Sequence, residues 1–307
     1  MDVEKQTVGS LFVLLSAAGF GTLPILVDIT LASGLNIPTI LIFRFIIGLA
    51  LLCLYIYTSS VFRNRYRDSG TTGAGKTSET RLRLSAPQAV IALGLGALGY
   101  ALISWLFFIG VSEINAGLAT IILYTYPLIV VFLGVLFLNE SITQKKITSV
   151  VVTLGGIGLI SGASFELLNF LGVAATFGAA VLYSFYIVVG RQALDSVNEV
   201  TLTVYVLLGA ATICLLIGAL SGQIMLPTGP SEWSLLVGIG VFSTGMPIFA
   251  FFAGLKRIDA SKAGVLATAE PVVAVVLGGI LLNESIPVPA YIGAILVISG
   301  VILVQSE

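Results

Sequence analysis

Apolar residues in this chain do not alternate with polar ones; they run in blocks of about 20, the length an α-helix needs to cross a bilayer. Ten such blocks follow one another, centred near residues 18, 47, 98, 127, 154, 180, 210, 243, 272 and 296. Each predicts a spanning helix, because in hydrocarbon the backbone polar groups must be satisfied within the segment itself. The first block is preceded by Asp2, Glu4 and a single lysine instead of a basic leader sequence, and it continues past any plausible cleavage point. It reads as a retained helix. Pro24, Pro127, Pro247 and Pro271 fall inside blocks, where membrane helices tolerate proline and kinks are expected.

The blocks repeat. Residues 107–142 superimpose on 251–286 at a shift of 144, with Pro127 on Pro271 and a shared Leu-Asn-Glu-Ser-Ile at the end. Matching polar residues and prolines mark a duplication, which an accidental match of apolar letters would not produce. Each half holds five spans, an odd number, so the second copy enters the membrane upside down relative to the first. The expected fold is an all-α integral membrane protein of ten transmembrane helices in two inverted five-helix repeats. Its boundaries are 8–140 with a fifth helix near 146–163, then 168–305, and a polar loop at 59–86. Inverted repeats of this kind build secondary transporters, with the substrate site near the midplane between the halves.

The basic residues agree with that topology. Lys5 lies in the N-terminal tail; Arg63, Arg65, Arg67, Lys76, Arg81 and Arg83 in the second connection; Lys145 and Lys146 in the fourth; Arg191 in the sixth; Lys256, Arg257 and Lys262 in the eighth. The odd-numbered connections carry Glu113, Glu166, Glu232 and Glu284 and no Lys or Arg. The positive-inside rule then predicts a multi-pass protein of the cell (plasma) membrane with both termini cytoplasmic.

Composition narrows the chemistry. Only 9% of the residues are charged and 57% are apolar, against roughly a quarter charged in soluble domains. A net charge of −1 excludes the basic footprint of nucleic-acid binding. Histidine is absent, which removes the commonest general base and metal ligand. Cys53 and Cys214 sit singly in apolar runs and read as packing residues. No cofactor and no metal are expected. The expected partners are a small-molecule substrate and the lipid bilayer, and a homodimer is left open.

Four segments stand out in order: AAGFGTLPI in the first helix, IFRF in the second, Pro127 followed after ten residues by LNESIT, and AEPVVAVVLGGILLNESI in the ninth. In these the chain resembles the EamA family of the drug/metabolite transporter superfamily. The resemblance implies a basket-like bundle in which helices 1–4 and 6–9 line a central cavity and helices 5 and 10 buttress it. It also implies a carrier of small metabolites, often an exporter.

Some motifs mislead. Residues 70–77, GTTGAGKT, match the P-loop pattern, but polar, basic segments flank them in place of the strand and helix that a phosphate cradle requires. Gly94, Gly96 and Gly99 spell a dinucleotide fingerprint inside the third span, where small residues serve helix contacts. The Asn-Glu-Ser triplets at 139–141 and 283–285 match a glycosylation acceptor; ending helices 4 and 9 is the expected role.

Charges at bilayer depth are costly and normally face a cavity or a partner. Glu270 lies about eight residues, roughly 12 Å, into helix 9. Arg44 lies about seven residues into helix 2, and Asp28 is interfacial at the outer end of helix 1. Glu270 is expected either to bind substrate or a proton, taking the proton up when the cavity closes and releasing it when wet, or to brace the bundle. Arg44 is either a counter-ion, to Glu270 or to a substrate carboxylate, or a brace to helix-end carbonyls. The repeat places Tyr126 opposite Glu270, each one residue before a proline, so both should approach the same central region, with Pro127 and Pro271 as hinges. Tyr100, Tyr124 and Tyr183 also fall mid-span, away from the interfacial belt where Trp105 and Trp233 are expected. A tyrosine-lined cavity with few charges suits an amino acid, nucleobase or other amphipathic solute.

The expected function is a secondary transporter working by alternating access, in the export direction, with proton coupling open. Importers and exchangers of organic anions or phosphorylated sugars are the alternative; phosphate recognition would call for several cavity Lys or Arg, and Arg44 stands alone. An intramembrane enzyme would need a nucleophile, metal cluster or carboxylate pair, and no such set is legible.

Overall fold

Each apolar block forms a helix. The computed structural model describes residues 3–68, 82–114, 116–162, 169–282 and 285–306, with side chains omitted over 60–68. Helix 1 spans Val3–Ala32, helix 2 Ile37–Asp68, helix 3 Ala86–Glu113, helix 4 Ala116–Leu138 and helix 5 Gln144–Ser161. Helix 6 spans Phe170–Ala193, helix 7 Glu199–Ser221, helix 8 Pro230–Leu255, helix 9 Ala260–Leu281 and helix 10 Val288–Gln305. The described residues contain no strand. Nine of these helices are long and apolar enough to cross a membrane. Helix 5 has 18 residues and opens on Gln144, Lys145 and Lys146, which lowers the mean hydropathy of an otherwise apolar segment. The P-loop-like run at 70–77 and the Asn283–Glu284 acceptor lie outside the described residues.

Local sequence sets the ends. Asn169 and Asn198 cap helices 6 and 7, each side-chain oxygen accepting from the backbone N–H two residues on at 2.9 Å, the donors that a helix start leaves unpaired. Helix 4 ends where Asn139 turns left-handed, with φ 54°.

The duplication is visible in the backbone. Helix 3 widens into a π segment at Ala97–Leu102 and helix 8 does so at Val241–Gly245, starting 144 residues apart. Helix 4 breaks between Leu123 and Tyr126, and helix 9 between Ala267 and Glu270, again 144 apart. Pro127 and Pro271 follow these breaks, because proline lacks the N–H that would continue the ladder. Helix 1 parts at Thr22, ahead of Pro24.

The repeats interlock. Helix 1 packs on helices 8 and 9, helix 6 on helices 3 and 4, helix 7 on helices 2 and 3, and helix 2 on helix 8. Helices 5 and 10 form the most extensive pair. A Cβ on Gly156 would lie 2.5 Å from the Gly293 carbonyl oxygen, and one on Gly293 would lie 2.4 Å from that of Gly156. Only glycine permits such a crossing. In the fingerprint-like run, Gly96 presses on the Val206 carbonyl and Gly99 on the Tyr186 ring, whereas Gly94 meets nothing within 4 Å.

Packing departs from the symmetry where helices 4 and 9 meet. The second half of helix 4 (Tyr126–Leu138) packs along the first half of helix 9 (Ala260–Ala267), while the symmetry-related pair, Ala116–Leu123 and Glu270–Leu281, has no comparable contact. The packed end lies at the face where Lys145, Lys146, Lys256, Arg257 and Lys262 gather, the basic face. The Lys145 ammonium there donates to the Ser306 carbonyl at 3.0 Å and that of Lys146 to Asp259 at 3.1 Å.

Candidate functional site

The breaks and π segments converge on one cavity of about 150 Å³. Phe20 and Leu23 of helix 1, Arg44 of helix 2, Gly99, Tyr100, Ile103 and Ser104 of helix 3, Leu123, Tyr124 and Tyr126 of helix 4, Tyr183 of helix 6 and Glu270 of helix 9 line it. All six side chains expected from sequence to bind, Arg44, Tyr100, Tyr124, Tyr126, Tyr183 and Glu270, therefore meet in one place. Pro127, next after Tyr126, and Pro271, next after Glu270, are both buried. Asp28 is exposed, away from the cavity.

Helix breaks explain how polar groups reach this depth. At the helix 9 break, the Thr268 N–H bonds back to Val265 and that of Ala269 to Leu266, so the Gly264 carbonyl loses the N–H it would have met in a continuous helix. The Tyr126 hydroxyl donates to this carbonyl at 3.0 Å, joining the two halves under the cavity. Tyr126 is only 1% exposed. Tyr124 and Glu270 both border the cavity, and Glu270 is part-exposed to it.

Arg44 is 5% exposed, donates from Nε to the Thr244 hydroxyl at 3.1 Å, and lies over the Phe45 ring at 4.8 Å. It thus braces helix 2 against helix 8 while still bordering the cavity. Thr244 stands 144 residues after Tyr100, at the equivalent place in the second π segment, where the extra residue per turn re-aims side chains. Applying the repeat shift to Tyr100 would have singled it out.

Aromatic rings make the wall continuous. Tyr126 and Tyr183 meet edge-on with centroids 4.6 Å apart, Tyr124 and Tyr126 are 5.8 Å apart, Tyr183 and Tyr186 stack at 5.9 Å, and Tyr100 meets Tyr186 at 5.5 Å. Phe20 and Phe45 flank Tyr100 at 6.4 and 5.7 Å. Sequence reasoning missed Phe20 and Tyr186. Tyr186 was legible as the same-face neighbour of Tyr183 three positions on; Phe20 carried no signal beyond its closeness to Pro24. Chemically, the site offers one cation, one carboxyl and several ring faces and hydroxyls. Such a set is suited to holding and orienting a solute, and it contains no activated nucleophile.

Comparison with known proteins places this geometry. The model of the EamA-like transporter family matches residues 7–162 and again 170–306. An uncharacterized transporter of Archaeoglobus fulgidus is 28% identical over 220 residues, covering 69% of this chain and 76% of the relative. The uncharacterized transporter YcbK of Bacillus subtilis is 22% identical over 299 residues, 95% of this chain and 90% of its own length. A crystal structure 22% identical in sequence superposes with a TM-score of 0.78, covering 97% of this chain and 96% of that one, which establishes the shared fold. The chain belongs to the EamA-like transporter family of the drug/metabolite transporter superfamily, a multi-pass membrane transporter and not an enzyme.

Proposed function

We propose that this transporter exports a small amphipathic solute, an amino acid, nucleobase or similar molecule, by alternating access, with Glu270 exchanging a proton during the cycle. The observation that carries the reading is the shared cavity, which sets Arg44 and Glu270 within one aromatic lining. Rings accept an apolar or planar body, the guanidinium meets a carboxylate, and the carboxyl meets an amine or a proton. Bending at Pro127 and Pro271 would let helices 4 and 9 close one end of the cavity while parting at the other. The one-sided basic residues support a cell-membrane location with both termini in the cytoplasm.

Initial uptake into everted membrane vesicles of labelled amino acids, nucleobases and amines, with and without an imposed pH gradient, tests the proposal. One solute class should accumulate in a protein-dependent way, faster with the gradient. Equal entry into vesicles lacking the protein, across the whole panel, would overturn it. The exchange of phosphorylated sugars is disfavoured because Arg44 is the one cation among the described cavity residues.

A further inference from the structure

Outside the cavity, a polar cluster joins the two halves at the basic face. Asn139 ends helix 4 in a left-handed turn, which carries the next residue, Glu140, across to the start of helix 9. There the Glu140 carboxylate accepts from the Ala260 N–H at 2.6 Å, from the Ser261 N–H at 3.2 Å, and from the Ser261 hydroxyl. Helix 9 begins after Asp259, whose own side chain makes no capping bond. The anion that its first N–H groups favour is supplied by the other repeat.

Lys146 completes the cluster. Its ammonium, 2% exposed, donates to the Ser141 carbonyl at 3.1 Å, pairs with Asp259 at 3.1 Å and lies 3.9 Å from Glu140, itself 7% exposed. The cluster closes the same end at which helices 4 and 9 are packed together, a contact that departs from the internal symmetry.

We infer that Glu140 is a positioning residue for transport: it latches helix 9 to helix 4 at the basic face and must leave the Ala260 and Ser261 N–H groups before the cavity opens there. The inference rests on the alternating-access reading. It assigns Glu140 no contact with solute, only control over which face the cavity meets. Charge-assisted hydrogen bonds of this kind are the strong ones, so the latch biases the carrier toward the state with its basic face closed.

The test reads accessibility and needs no solute. In a Cys53→Ala, Cys214→Ala background, Val130→Cys reports on the closed end, since Val130 is fully buried in helix 4 beside Gly264. Leu123→Cys reports on the cavity. A membrane-impermeant maleimide is applied to intact and to permeabilised cells, which separates the two faces. Glu140→Gln should raise labelling of Val130→Cys from the basic face about tenfold, the effect of losing one charge-assisted hydrogen bond, and should lower labelling of Leu123→Cys from the opposite face. General loosening of the fold raises both, and either that result or no change overturns the latch. If Glu140→Gln fails to accumulate, Ser261→Ala removes one donor and must shift both sites in the same senses; no shift overturns the inference. Because labelling is independent of the solute panel, a failed latch and a failed transport proposal remain distinguishable.

Discussion

Tyr126 and Glu270 hold equivalent places in the two repeats, each one residue ahead of the proline that follows a helix break, yet they do different things. The Tyr126 hydroxyl is committed to the Gly264 carbonyl across the halves. Glu270, its counterpart, faces the cavity beside Tyr124. A symmetric backbone thus carries an asymmetric pair, one closing the bundle and the other exposed to whatever enters it.

Tyr126→Phe keeps the ring packing against Tyr183 and removes only the hydroxyl. The loss of that cross-half bond should cost about 1 kcal/mol and leave the Gly264 carbonyl without its partner. Thermal unfolding in detergent should shift down modestly, and a Val130→Cys reporter should become more reactive. An unchanged melting curve together with unchanged reactivity would contradict the role given to this bond.

Thr244→Val removes the hydroxyl that receives the Arg44 Nε–H and leaves a buried donor unpaired, at a cost of about 1–3 kcal/mol. The variant should be less stable than wild type, while Arg44→Lys should be no better, because a point-like ammonium does not reproduce the planar guanidinium. Thermal stability of the purified proteins measures both. Full stability in Thr244→Val would show that Arg44 finds its partners elsewhere.

Glu270→Gln preserves shape and removes the titrating group. Under the proton-exchange proposal, accumulation driven by a pH gradient should collapse to the level set by the solute's own gradient, with the fold intact. Vesicle uptake with the gradient imposed and then dissipated checks this. A variant that still responds fully to the gradient would move the coupling away from this residue.

Gly156→Leu places a side chain where the Gly293 carbonyl oxygen already lies. Overpacking costs about 1–3 kcal/mol or more, so helices 5 and 10 should separate and the yield of folded protein should fall. In any rescued fraction the order of solute preference should be unchanged, because neither helix lines the cavity. A change in that order would bring helix 5 into the transport path.

The sequence by itself determined the number of spans, their inverted duplication and the two charges that needed a cavity. Burial in hydrocarbon leaves so few options that length, proline position and charge placement are nearly sufficient. Depth put Arg44, Glu270 and the tyrosines within the membrane, and the repeat set Tyr126 opposite Glu270. Tertiary structure decided which partners those groups take. That Arg44 rests on Thr244, that Tyr126 reaches Gly264, and that Glu140 caps a helix of the other repeat depend on contacts between residues more than a hundred positions apart. Hydropathy reports how deep a residue sits, but not which neighbour it faces across the bundle. The break in symmetry at helices 4 and 9 was likewise beyond the sequence, because two equivalent stretches of chain can adopt either packing, and only the assembled bundle selects one.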